Sequence, residues 1–394
     1  MEFINLKRCM DNFLEEYNVP GVDCAVYKNH DLLFRYYTGK SDLENNKLMN
    51  GNELFSIFSM TKMLTCVSAL QLFEKGKFKL EDPVSDYLPE FKKMRIASEQ
   101  YTNNNSADIA TGKTLGEEAT VNGECYAVNP ITIKHLFTMT AGLDYNVKAE
   151  GIKKALSNNK TSTRDIVRAM SETVLGFEPG TRYRYSLCHD VLGALIEVLS
   201  GQRLGEYMKE NIFIPLGMNN TFFGVPKDED RLSKMAARYT YDDKKNLKRL
   251  PLQHDFNISE DYESGGAGLT SSTMDYAVFL DAMANGGVGK NGNRILSESS
   301  VKLMKTCQIE GKPLEDFLKM RPGYGYGLGV RTKIGKDDSL SPIGEFGWDG
   351  AGGAFALVDT ENKLSLTYFQ QVHNWNIKIQ TEMKNALYSD FLSL

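Results

Sequence analysis

The chain has 394 residues, of which 41% are hydrophobic, 25% charged and 10% aromatic, close to the average of soluble globular proteins. This excludes collagen-like, coiled-coil and mostly disordered chains, and the length fits two structural units or one large domain with an insertion. A formal net charge of -5 leaves no basic footprint for nucleic acid and no attraction to an anionic membrane surface.

Taken in chain order, Met1-Glu2-Phe3-Ile4-Asn5-Leu6 puts an acid at position 2 and opens no apolar run of signal length, so no secretory leader is expected. No stretch of about 18 apolar residues occurs, so no membrane span is expected. Residues 22–28 and 32–38 are β-rich runs parted by Asn29-His30-Asp31, a hairpin signal. From Ser59 to Lys75 the apolar residues Met63, Cys66, Val67, Leu70 and Phe73 recur at helical spacing, which predicts an amphipathic helix closed by Gly76. Residues 97–129 hold Asn103-Asn104-Asn105 and many Thr and Glu without periodicity, and read as a long surface loop. Helical patterning returns at 131–139, 163–174, 188–200 and 203–212. Ser264-Gly265-Gly266-Ala267-Gly268 breaks the composition before a helix over Thr273–Ala284. Strand-like runs at 325–332, 353–359 and 363–371 then precede a last helix near 375–391.

Strands at both ends with helices between them predict an α+β fold. An antiparallel sheet flanked by helices is built from both termini, and a mostly helical domain is inserted. The predicted division gives 1–82 and 265–394 to the sheet domain and 83–264 to the helical one, with 97–129 as a polar excursion. The cysteines (Cys9, Cys24, Cys66, Cys125, Cys188, Cys307) are scattered without a C-x-x-C pair, which fits reduced thiols and a cytoplasmic location.

Several chemistries drop out. There is no G-x-S-x-G elbow. Gly112-Lys113-Thr114 ends like a P-loop, but Ala107 stands where its first glycine belongs. His30, His135, His189, His254 and His373 never fall at metal-ligand spacing, so no metal is expected. His189 and Asp190 are neighbours on a predicted helix and point apart, which makes a structural His189 the expectation.

What remains is Ser-x-x-Lys. Residues three apart on a helix share a face, so a lysine amine can reach a serine hydroxyl there. A desolvated amine can accept its proton, and the helix N-terminus favours a developing oxyanion. The motif occurs at Ser59–Lys62, Ser157–Lys160 and Ser299–Lys302. Ser157 lies in a polar turn and Ser299 among serines that read as helix caps. Only Ser59 follows an apolar approach, Leu54-Phe55-Ser56-Ile57-Phe58, and opens an apolar-periodic helix; its bland alternative is an ordinary N-cap.

Phe55-Ser-Ile-Phe-Ser-Met-Thr-Lys62 resembles the active-site segment of the serine β-lactamase/penicillin-binding-protein family, in its class C branch. The likeness continues in order through residues 79–89, 131–143, 178–186, 215–218, 265–269 and 324–329, over roughly residues 15–390. It implies that Tyr185, in Tyr185-Ser186-Leu187, is the family's general-base tyrosine; the literal Tyr-x-Asn matches at Tyr27 and Tyr101 fall out of order. Leu187 departs from the family's asparagine and can make neither of that amide's hydrogen bonds. The third motif matches Trp348-Asp349-Gly350, similar to the Trp-x-Gly form of the β-lactamase-like family VIII esterases. There Trp348 would offer an apolar wall with one N–H, Gly350 would allow close approach of the edge strand, and Ala351 N–H would join Ser59 N–H as oxyanion donors.

The resemblance implies a serine hydrolase with an acyl-enzyme on Ser59, needing no cofactor and acting on a small-molecule ester or amide, carboxylic esters first. The alternatives are a β-lactamase or D-amino-acid peptidase, for which Arg331 or Lys333 would supply the missing cation, and a degenerate binding protein.

Overall fold

The computed structural model describes residues 3–97 and 125–392. The sheet is where the two ends of the chain meet. Strand Gly21–Lys28 is apolar on both faces and almost wholly buried, and it lies between Asp31–Asp42 on one side and Leu364–Phe369 on the other. A strand flanked on both faces reads as a continuous apolar run rather than an alternating one. The register sets Asp23 opposite Phe369 and Tyr37. The eight antiparallel strands run in the order Tyr324–Tyr326, Arg331–Lys333, Phe346–Gly347, Phe355–Asp359, Leu364–Phe369, Gly21–Lys28, Asp31–Asp42, Lys47–Leu48. The α+β class and the sheet built from both termini are therefore as the pattern predicts.

One face is covered by two helices, Ile4–Glu16 and Lys378–Leu392, which pack on each other. The first was not among the expected elements, although Leu6, Met10 and Phe13 recur at helical spacing and are buried. The other face receives Thr273–Ala284, whose Ala277 packs between Ala25 and Tyr27. The expected strand 325–332 is instead two strands, Tyr324–Tyr326 and Arg331–Lys333, because Gly327 and Gly329 turn the chain between them. The middle of the chain carries Ile133–Thr138, Glu150–Ser157, Thr163–Met170, Cys188–Ser200 and Leu204–Met208, and also a hairpin, Arg238–Tyr241 with Leu247–Leu250.

The helix after Ser59 spans Thr61–Glu74, but it is not amphipathic. Every residue from Thr61 to Leu72 is buried, as expected of a helix enclosed on all sides. Two of its hydroxyls are satisfied by buried carbonyls, Ser68 Oγ donating to Leu64 O at 2.9 Å within the helix and Thr65 Oγ1 to the distant Gly265 O at 2.7 Å. It packs along Cys188–Ser200, and a single apolar core joins both helices to the strands carrying Phe346 and Tyr326.

The 97–129 excursion leaves and returns on a short ladder, Arg95–Ile96 with Cys125–Tyr126. Residues 125–126 of it are thus strand rather than loop, and positions 98–124, with Tyr101 and the Gly112-Lys113-Thr114 triplet, lie outside the described residues. Cys9, Cys24, Cys66, Cys188 and Cys307 form no disulfide. Among the described residues no helix is long and apolar enough to cross a membrane.

Candidate active site

Strand Leu54–Ser56 delivers the chain to a single 3-10 turn, Phe58–Met60, which leads directly into the Thr61 helix. Phe58 takes φ +46°, a left-handed conformation that strains a residue with a side chain. Its ring is held by His254 at 4.7 Å, His373 at 4.8 Å and the Arg238 guanidinium at 5.0 Å. That cage holds the strained residue immediately before Ser59.

Ser59 is 8% exposed and caps nothing, the helix N-cap position being Met60. Its Oγ accepts instead from Lys62 Nζ at 3.2 Å and from Tyr185 OH at 2.6 Å. Lys62 is 0% exposed, donates to Gly266 O at 2.6 Å, and stands 4.7 Å from the centre of the Tyr185 ring. The other two Ser-x-x-Lys serines are spent on helix ends. Ser157 Oγ donates to Lys154 O at 2.9 Å, and Ser299 follows the true cap Ser297, whose side chain accepts from Ser300 N–H at 3.2 Å.

Trp348 is 6% exposed and lies stacked on Tyr185, ring centres 5.7 Å apart, with its Nε1–H donating to Tyr185 OH at 3.3 Å. Gly350 is where the third-motif turn meets the turn before Ser59: an added Cβ would lie 2.6 Å from Ile57 O. Gly350 N–H donates to Ala354 O at 2.7 Å and its carbonyl accepts from Gly353 N–H at 3.0 Å, leaving Ala351 at the exposed tip. Leu187 stands just before helix Cys188–Ser200; its side chain is in the core, 3% exposed, and its N–H donates to Asp144 O at 2.9 Å.

Neither cation considered for the third motif is free to receive an anion. Arg331 is buried between Glu345 (3.2 Å) and Asp349 (3.0 Å). Lys333 is taken by Asp337 and by Ser341 O at 2.7 Å. His189 is buried, with Nε2 3.3 Å from Phe137 O, and burial with the nearby Lys62 charge holds it down to about 3. It stays neutral and structural. Among the described residues no cluster of His, Cys, Asp and Glu could hold a metal.

One residue at the centre escaped the sequence reading. Tyr145 OH lies 3.5 Å from Lys62 Nζ, and its ring is 5.2 Å from that of Tyr185 and 5.4 Å from Phe256. Burial raises its phenol well above the usual 10, so it remains a neutral hydroxyl. The only signal for it was an aromatic two positions beyond the family-like block that ends at Leu143. Trp348, Tyr185, Tyr145, Phe256 and His254 thus form a continuous aromatic arc that reaches Phe58.

A family model described as beta-lactamase matches residues 6–376. An uncharacterized protein of Mycobacterium tuberculosis is 28% identical over 364 residues, covering 90% of this chain and 86% of its own length. The esterase EstB of Burkholderia gladioli is 27% identical over 302 residues, 71% of this chain and 69% of that protein. Among solved structures, EstCE1, a hydrolase with promiscuous acyltransferase activity, superimposes with a TM-score of 0.76 at 21% identity, covering 98% of this chain and 97% of its own. With the ordered motifs and the sheet closed from both ends, these matches place the chain in the beta-lactamase family.

Proposed function

We propose that the protein is a serine hydrolase that cleaves carboxylic esters through an acyl-enzyme on Ser59. The observation that carries this reading is the convergence of Lys62 Nζ and Tyr185 OH on one buried seryl oxygen, at 3.2 and 2.6 Å. In the reacting form Tyr185 is a phenolate, stabilised by the Lys62 ammonium and by the Trp348 N–H. It takes the Ser59 proton as Oγ bonds to the ester carbonyl, and the oxygen that gains charge is received by the Ser59 and Ala351 N–H groups. The proton then passes to the leaving alcohol as its C–O bond breaks. Water repeats the sequence on the acyl-enzyme: Tyr185 accepts its proton, the acid departs, and Ser59 regains its hydrogen.

Esters are favoured over β-lactams and peptides by what surrounds the serine. Leu187 puts hydrocarbon where the related motif has an amide, and Arg331 and Lys333 are already paired, so neither of these two cations is free for a substrate carboxylate. The aromatic arc suits a neutral, apolar substrate. The likeness to an esterase and to a hydrolase with acyl-transfer activity supports the same class.

Intact-mass spectrometry after exposure to a fluorophosphonate, a penicillin and p-nitrophenyl butyrate tests the reading. The expected result is a fluorophosphonate adduct on Ser59, ester turnover, no penicillin adduct, and loss of turnover and adduct in Ser59→Ala. A stable penicillin adduct would move the assignment to the peptidase class. No adduct with any probe would remove the hydrolase reading.

A further inference from the structure

His189 and Asp190 are neighbours on helix Cys188–Ser200, and their side chains point apart. His189 turns toward Phe137 O, whereas Asp190 turns toward the back of the Ser59 site. Asp190 is 0% exposed. Its Oδ1 accepts from Tyr262 OH at 2.6 Å, Ser264 Oγ at 2.6 Å and Gly266 N–H at 3.4 Å. Its Oδ2 is buried with no hydrogen-bond partner among the described residues. A buried carboxylate oxygen left this way needs a compensating charge close by.

That charge is on the other side of Gly266. A Cβ added there would lie 2.5 Å from Asp190 Oδ2 and 3.4 Å from Lys62 Nζ, so the two groups are no more than about 6 Å apart. Lys62 donates to a hydroxyl of Ser59, a hydroxyl of Tyr145 and the Gly266 carbonyl, and none of these is an anion. The other titratable groups around the pair are Tyr145, Tyr185, Tyr262, His189, Cys66 and Cys188. Burial raises the Tyr145 and Tyr262 phenols and the Cys66 and Cys188 thiols, and it keeps the imidazole neutral. Lys62 is the one cation of this set and Asp190 the one carboxylate. The absent side chain at residue 266 is what lets them face each other in a dry interior.

We infer that Asp190 is the counter-charge of Lys62, a positioning residue that keeps the lysine an ammonium, so that Tyr185 rather than the amine accepts the Ser59 proton. This rests on the acyl-enzyme reading above. A carboxylate within about 4–6 Å favours the ammonium, commonly by about 1–3 pH units. Asp190→Asn keeps the volume and an acceptor for Tyr262 and Ser264 but removes the charge. The basic limb of the pH–rate profile for p-nitrophenyl butyrate, set by the Lys62 ammonium, should then move to lower pH by about one unit or more. A merely structural role would lower the rate without moving that limb, and that result overturns the inference.

A second measurement needs no turnover. In carbon-labelled lysine NMR of the resting protein, the Lys62 signal, assigned by its loss in Lys62→Met, should lose its proton at lower pH in Asp190→Asn. If that variant does not fold, labelled aspartate NMR of Lys62→Met replaces it. Without its counter-charge the Asp190 carboxyl should take up a proton at higher pH than in the wild type. Unmoved titrations beside intact ester turnover remove the role of Asp190 alone. Moved titrations without ester turnover uphold the pairing and remove the hydrolase reading.

Discussion

Two buried cations flank the candidate site, and they are held in opposite ways. Arg331 is enclosed by Glu345, Asp349 and the carbonyl of Ala356, while Lys384 shares Glu345 and Arg321 shares Asp349. Every charge there is answered within hydrogen-bond distance, and the network anchors the turn carrying Trp348 and Gly350. Lys62 has no carboxylate in contact and spends its hydrogens on two hydroxyls and one carbonyl. A cation in contact with carboxylates fixes structure; one bonded only to neutral acceptors in a dry site keeps its field available to groups that change charge.

The widest gap between the two should appear on substitution. Lys62→Met is expected to lower ester turnover by about 10²–10⁴-fold, the range for a lost acid–base group, and to lower the urea midpoint less than Arg331→Met, because the Asp190 left behind keeps its three hydrogen bonds and can take up a proton. Arg331→Met should cost more stability, up to about 3–5 kcal/mol, because Glu345 is left with Lys384 alone and Asp349 with Arg321 alone. Equal urea midpoints for the two variants would break the comparison. Acid provides a second contrast. Burial holds His135 and His373 down to about 4 and His189 and His254 down to about 3, helped by Lys134, Arg238 and Lys62. Below its ordinary value near 6.5 the unfolded chain binds protons that these folded histidines refuse. Stability is therefore complete above about pH 6.5 and falls as pH drops toward about 4. Melting temperatures between pH 7.5 and 4.5 check this, and a flat curve would contradict the burial of these rings. The smallest effect belongs to Trp348→Phe, which keeps a ring on Tyr185 but removes its N–H donor. Loss of one hydrogen bond to the phenolate, about 1.5 kcal/mol at the low end for a charged partner, predicts roughly tenfold lower turnover, with the acid limb moved to higher pH.

The parts of this molecule that could be read from sequence are those in which neighbouring residues carry the signal. The helix after Ser59 announces itself by spacing, and the closing strands by β-rich runs bounded by turns. Burial on every side of that helix was not visible, because Thr61, Thr65 and Ser68 look solvent-facing until their hydrogen-bond partners in the folded chain are known. Tyr145 and Asp190 carry no spacing rule at all: each gains meaning only from chain segments folded against Lys62. Gly350 illustrates the intermediate case. Its smallness was legible, but the group it approaches, the carbonyl of Ile57, belongs to a turn almost three hundred positions earlier.

The pairing of Gly21–Lys28 with Leu364–Phe369 has a consequence in time as well as in space. The first central strand leaves the ribosome long before its partner exists, and its apolar faces and one unpaired edge must wait through nearly the whole of synthesis. Sheet closure is then a late, long-range event, slow to find and exposed to aggregation until the last strands arrive. Ser59, Lys62 and Tyr185 are all translated well before that step, yet the turn that brings Trp348 to them is fixed only when the final strands are in register. Activity should therefore appear only after Leu364–Phe369 has left the ribosome and paired, and until then the nascent protein should depend on holdase chaperones more than its ordinary composition suggests.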